Sequence, residues 1–287
     1  MDKPLIVGVD GSDPSLRALD WAVDEAAAHG VALHVVHAPR WSRYEGHEPS
    51  FGVERPSTRV LADHIAASAV ERALRRTASV KVTSDVLSED PAAALVRLGA
   101  EAGAVVVGSR GRGGPAGVLL GSVGLYVAAH ATSPVVVVRG REESPRGGSR
   151  ALCVGVGDPR EAADALEFAF REALTHQAAL TVVHAWRCPA REVSDVPAPT
   201  DDEHRRRAEE HVAQALSEVT EAHPGVVPRR EIVEGHARTA LLDAARTADL
   251  LVVGARRRKG HVGMQLGPVN HAALHHAACP VAVVPHH

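Results

Sequence analysis

The stretch "LHVVHA" at residues 33–38 returns as "LTVVHA" at residues 180–185, 147 residues further on. "SPVVVV" at 133–138 returns as "CPVAVV" at 279–284, 146 residues further on. Matches at both ends of a unit, with offsets differing by one, mean that a whole domain is written twice, because solenoid periods run only about 20 to 50 residues. A chain of 287 residues also suits two domains of ordinary size.

Each repeated stretch is a short β-branched run, and between such runs lie Ala- and Leu-rich segments of helical period. In the first copy the pattern predicts strands near 5–9, 32–38, 80–85, 104–108 and 134–138 and helices near 14–29, 58–77, 90–102 and 121–131. In the second it predicts strands near 151–156, 179–185, 228–233, 249–254 and 280–284. Continuously apolar strands separated by helices belong to a parallel sheet covered on both faces. The fold class expected is therefore α/β, with two tandem doubly wound, Rossmann-like domains at 1–139 and 151–287. The charged "RGREESPRGGSR" (139–150) supplies the linker, placed at 140–150. Two irregular stretches, Pro39 to Ser57 and Arg187 to Thr200, are longer than ordinary connections. In the first of them Trp41, Tyr44 and Phe51 either pack the loop onto its own domain or cap a ligand.

Composition narrows the function classes. A formal net charge of −3 carries no polyelectrolyte signature, so nucleic acid is not an implied partner. "MDKPLIVGVDGS" has too short an apolar run for a secretory signal, and no run approaches the roughly 20 residues of a bilayer span. A cytoplasmic protein without membrane attachment is expected. Cys153, Cys188 and Cys279 are scattered and odd in number, which supports neither a disulfide framework nor a zinc ribbon.

The richest chemistry follows the fourth strand, in "GSRGRGGPAGVLLGSV" (108–123). In an open parallel sheet ligands bind beyond the carboxyl ends of the strands. Glycines there allow close backbone approach, and loop N–H groups followed by a helix amino end make a concavity suited to phosphate. "GRGGPA" fits a dinucleotide turn, yet no Asp or Glu occurs between Gly111 and Arg141 to hold a ribose. None of the lysines Lys3, Lys81 and Lys259 follows a glycine, which rules out a Walker A loop.

The remaining pattern is G-x2-G-x9-G-S at Gly108, Gly111, Gly121 and Ser122. With "IVGVDGS", "VVHA" and "SPVVVV" it resembles the universal stress protein family in its tandem two-domain form. The resemblance implies a strand order of 3-2-1-4-5 and an ATP site in the first domain, possible Mg²⁺ arriving with the phosphates. Carried onto this chain, it puts Asp10 and the backbone at Ala38 against the adenine, with Gly108, Gly111, Gly121 and Ser122 along ribose and phosphates and Ser109, Arg110 and Val123 beside them. A carboxylate, a hydroxyl and helix-end N–H groups suit those roles. For Asp10 an Asx turn opening the next helix stands as the alternative.

The second copy keeps the length but not the chemistry. Gly157 stands for Asp10, Arg257 for Gly111 and Pro268 for Ser122. Proline at a helix start preserves the fold while removing the hydroxyl and the N–H. One nucleotide site per chain is expected, in the first domain, with the second domain degenerate; "RRRK" (256–259) leaves anion attraction there as an alternative. His271 and His275 have a workable metal spacing but no third ligand with a motif-level claim, and no metal site is assigned. His37 and His184 end equivalent strands, where a shared packing or hydrogen-bonding role outweighs a catalytic one. No nucleophile or paired-carboxylate motif names a catalytic residue.

The leading expectation is a nucleotide-dependent stress-response regulator with an unknown regulatory protein partner, rather than a dedicated catalyst. The alternatives are a slow ATP hydrolase or adenylyl-transferring enzyme, and a nucleotide-independent assembly module. The resemblance further implies pairing of the two copies through their last strands, and homodimerisation of the chain is expected with it.

Overall fold

The computed structural model describes residues 3–39, 58–110, 120–140, 150–187, 201–256 and 266–286. The chain divides between Arg139 and Gly140 into two compact units. Gly111, the three loop aromatics, most of both irregular stretches, residues 141–149 of the linker and Arg257 to Lys259 lie outside the described residues.

The first unit runs β1 (Leu5–Gly8), α1 (Asp13–His29), β2 (Leu33–His37), α2 (Thr58–Arg76), β3 (Val82–Val86), α3 (Pro91–Gly99), β4 (Ala104–Gly108), α4 (Ser122–His130) and β5 (Val135–Val138). Its strands lie in the order 3-2-1-4-5 and every pair is parallel. The second unit repeats the pattern with β6 (Ala151–Gly155), α5 (Ala163–His176), β7 (Ala179–Trp186), α6 (Asp201–Ala222), β8 (Arg229–Glu234), α7 (Ala237–Ala244), β9 (Leu250–Ala255), α8 (Pro268–His276) and β10 (Val281–Pro285). Here the parallel order is β8-β7-β6-β9-β10, the same topology. The expected doubly wound α/β class is the one observed.

The central strands are apolar from end to end because helices cover both faces: Leu5, Val7, Val105, Val106, Val135 and Val136 are all fully buried. By contrast, β3 and β8 are outermost in their sheets, and their residues are exposed or half-buried. Helix α1 starts where Ser12 accepts from the Ser15 N–H at 3.4 Å, with Asp13 in its first turn. It buries Ala18, Leu19, Ala22, Val23 and Ala26, one stripe of helical period, and stops at Gly30 with φ 65°.

Two forked ion pairs tie α2 to α1. Arg72 donates to both Asp20 oxygens at 2.7 and 2.6 Å, and Arg76 to both Asp24 oxygens at 2.6 and 2.7 Å. Both pairs repeat at a four-residue step on each helix, so they lock one register. Hydrogen bonding to its carboxylate raises each guanidinium above its ordinary value. In the second unit Glu167 of α5 pairs instead with His223, just beyond α6, at 2.9 Å. A buried acid and histidine recur on the first helix of each unit, at Glu25 and His29 (3.1 Å) and at Glu172 and His176 (3.6 Å).

Candidate functional site

In the first domain β1, β2 and β4 are adjacent and parallel, so their carboxyl ends open on one side. This is where an α/β sheet offers a crevice. At the end of β1 the Asp10 side chain closes an Asx turn, accepting from the Ser12 N–H at 3.0 Å and the Ser12 hydroxyl at 2.5 Å. The Asp10 N–H donates to the Ser15 hydroxyl at 3.2 Å. The turn thus fixes the carboxylate between strand and helix, so the local-turn reading of Asp10 is realised and its carboxylate is preorganised at the sheet end.

At the end of β2, His37 is buried and its Nδ1 lies 2.8 Å from the Val9 carbonyl. A carbonyl only accepts, so Nδ1 carries the proton. This bond ties together the strand ends that carry Asp10 and Ala38. Its counterpart is identical: His184 Nδ1 donates to the Val156 carbonyl at 2.8 Å. Of the packing and hydrogen-bonding roles expected for the two histidines, the hydrogen bond is observed in both.

The third element is the end of β4. A Cβ on Gly108 would stand 2.5 Å from the Pro14 carbonyl oxygen and 2.9 Å from the Ser15 nitrogen. Only glycine lets the strand pass so close to the first turn of α1. The Gly121 N–H then donates to the Ser109 carbonyl at 2.8 Å, which brings Gly121 and Ser122 back beside Ser109 and Arg110. A Cβ on Gly121 would lie 3.5 Å from the Arg110 Cα. Gly121 is the N-cap of α4, with no side chain closing the helix end. Ser122 and Arg110 are exposed on this rim, while Val123 is half-buried behind it. The structure therefore gathers Ser109, Arg110, Gly121, Ser122 and Val123 at the end of β4, next to α1. Asp10 lies at the end of the neighbouring strand β1 and Ala38 at the end of β2, the strand beyond it.

The second domain departs from this plan at one place. Helix α1 begins at Asp13, but its counterpart α5 begins only at Ala163, after a 3₁₀ turn over Pro159–Glu161. With the helix start set back, a Cβ on Gly254 would stand 3.5 Å from the Glu161 carbonyl oxygen, an ordinary contact. A cleft of about 190 Å³ opens here, with Gly155, Val183, Leu241, Val253, Val269 and Asn270 among its walls. Sequence reading missed it: the Asp-Pro at 158–159 looks like a normal helix start, and the delay shows only in three dimensions.

Polar groups around this cleft differ from those of the first domain. Arg256, the counterpart of Arg110, is ion-paired with Glu161, where the first domain has Pro14. The Asn270 side chain donates to the Gly254 carbonyl at 3.1 Å, and the counterpart of Asn270 is Gly124. Ala255 replaces Ser109 and Ala162 replaces Ser15. On α8 the rings of His271 and His275 stack 6.1 Å apart. Burial pushes the Cys153 thiol up, which makes it a core residue and not a nucleophile.

The model of the universal stress protein family matches residues 1–139 and 148–285, both copies of the duplication. The chain belongs to the universal stress protein family. A universal stress protein of Mycobacterium tuberculosis H37Rv is 32% identical over 299 residues, covering 97% of this chain and 94% of the relative. One from Mycolicibacterium smegmatis is 30% identical over 287 residues, covering 98% and 96%. Among solved structures, a universal stress protein from Archaeoglobus fulgidus superposes with a TM-score of 0.66 at 20% identity, covering 98% of each chain. At that identity the likeness speaks for the fold, and it extends over both tandem domains.

Proposed function

We propose that the first domain binds an adenine nucleotide, ATP with its Mg²⁺, and that this cytoplasmic universal stress protein is a nucleotide-dependent regulator rather than a dedicated catalyst. One observation carries the reading: Gly108 lets the end of β4 pass against the first turn of α1, and the Gly121 N–H bond to the Ser109 carbonyl brings the start of α4 back to the same rim. Backbone N–H groups at the amino end of a helix favour phosphate oxygens. Arg110 and the Ser122 hydroxyl add a cation and a donor on the same rim, and Pro14 offers Arg110 no carboxylate to pair with.

The base side rests on the turn at Asp10 and on the backbone at Ala38, each positioned by the His37 bond to Val9. A carboxylate already oriented by Ser12 loses little freedom when it accepts a further donor. The magnesium ion would be held by phosphate oxygens and would neutralise their charge. Regulation follows if ATP prefers one conformation of the rim over another, since a ligand shifts an equilibrium only by its differential affinity.

Calorimetric titration of the purified chain with ATP and Mg²⁺ tests this. Arg110→Ala is expected to weaken binding about tenfold, the worth of one charge-assisted phosphate contact. An affinity unchanged in Arg110→Ala, or absent in the wild type, overturns the reading.

A further inference from the structure

The second domain's cleft has kept the backbone framework of the base side, with Gly157 in place of Asp10, while exchanging the phosphate side for other chemistry. His184 holds the Val156 carbonyl as His37 holds that of Val9, so the two strand ends keep their geometry. Buried Leu241, Val253 and Val183 form an apolar part of the wall, and Asp158 and His286 also line the cleft. On the other side Pro268 has removed a hydroxyl and an N–H, and Ala255 has removed a second hydroxyl. Arg256 remains, but Glu161 neutralises it. An incoming phosphate would meet that carboxylate or have to displace it.

We propose that this cleft is a site for an uncharged purine nucleoside, and that the Glu161–Arg256 ion pair discriminates against phosphorylated forms. The proposal rests on the reading of the first domain as an adenine site, carried across the duplication to the same strand ends. Three further features fit a nucleoside. First, the space of about 190 Å³ is smaller than the roughly 300–1,000 Å³ of pockets that enclose larger ligands, and suits a base and sugar more than a triphosphate. Second, Asn270 lines the cleft with a neutral amide whose orientation is fixed, because its NH₂ is the end that donates to Gly254. Third, a repulsive carboxylate is how a protein separates ligands sharing one apolar body.

The exchange responsible is narrow. Glu161 stands where the first domain has Pro14, so one carboxylate separates an arginine available to a phosphate from one already paired. Both partners of the pair are partly exposed, 59% for Arg256 and 31% for Glu161, so solvent screens the repulsion and the discrimination is moderate. Arg257, Arg258 and Lys259, which follow in the sequence, lie outside the described residues; the ATP arm of the experiment reads their net effect.

The test uses the full chain carrying Gly111→Arg, which breaks the first domain's motif, titrated calorimetrically with adenosine and with ATP. One adenosine per chain is expected, with ATP weaker by about tenfold. Glu161→Gln should strengthen ATP binding by a similar factor and leave adenosine unchanged, and adding Arg256→Ala should abolish the gain. The proposal is overturned if adenosine does not bind, if ATP binds as well as adenosine, or if Glu161→Gln leaves their ratio unmoved. Loss of ATP binding in the wild-type first domain, with adenosine still bound by the Gly111→Arg chain, would instead refute only the first-domain reading.

Discussion

Gly108 and Gly254 occupy the same place in two copies of one fold, yet they answer to different constraints. At Gly108 a methyl group would press on the backbone of Pro14 and Ser15, which moves only if the start of α1 moves. Gly108→Ala is therefore expected to destabilise the first domain by about 2 kcal/mol, the usual cost of overpacking. Gly254→Ala meets only ordinary contacts and should change stability by less than about 0.5 kcal/mol. Denaturant unfolding of both variants checks the pair, and equal effects would contradict the difference in helix start. At this scale sequence was a partial guide. Gly108 was legible as a close-approach glycine, because an apolar strand followed by clustered glycines has few other uses. Asp10 had two readings, ligand or turn, since Asp-Gly-Ser satisfies both; the bonds to Ser12 establish the turn, which also orients the carboxylate. The Glu161–Arg256 pair was not legible, because its partners are 95 positions apart and come together only through the 3₁₀ turn.

Among the elements, the strands were read from sequence almost to their ends, since buried parallel strands are unbroken β-branched runs that helices do not imitate. Helix ends were harder. Helices α1 and α5 terminate at equivalent positions in left-handed conformation, the first with Gly30 at φ 65° and the second with Gln177 at φ 50°. A residue with a Cβ in that region costs about 1–2 kcal/mol relative to glycine. Gln177→Gly should accordingly stabilise the second domain by about 1 kcal/mol and raise its unfolding temperature, measured by scanning calorimetry. A lowered midpoint would mean that the Gln177 side chain contributes more than its backbone strain removes. The late start of α5 is the other unannounced feature. Three residues of 3₁₀ turn take the place of helix, and the result is a cleft where the first domain packs strand against helix.

Across the whole molecule, duplication has preserved a scaffold and let its two strand-end sites diverge. Both domains retain the 3-2-1-4-5 parallel order and the histidine that ties the first two strand ends together. At the strand ends the two copies differ in their polar groups: Asp10 against Gly157, Pro14 against Glu161, Ser109 against Ala255, Ser122 against Pro268. The fold was legible because it depends on a pattern spread over many residues and written twice. The sites were less so because each depends on a few side chains whose partners are distant in sequence. No helix of the described residues is long and apolar enough to cross a membrane. The proposed function requires one adenine nucleotide site per chain, in the first domain. The most direct measurement denatures the purified protein and quantifies released nucleotide, beside a Gly111→Arg variant that gives the first domain the second domain's residue. Close to one adenine nucleotide per chain is expected in the wild type and almost none in the variant. Two per chain, or an undiminished yield from Gly111→Arg, would contradict it.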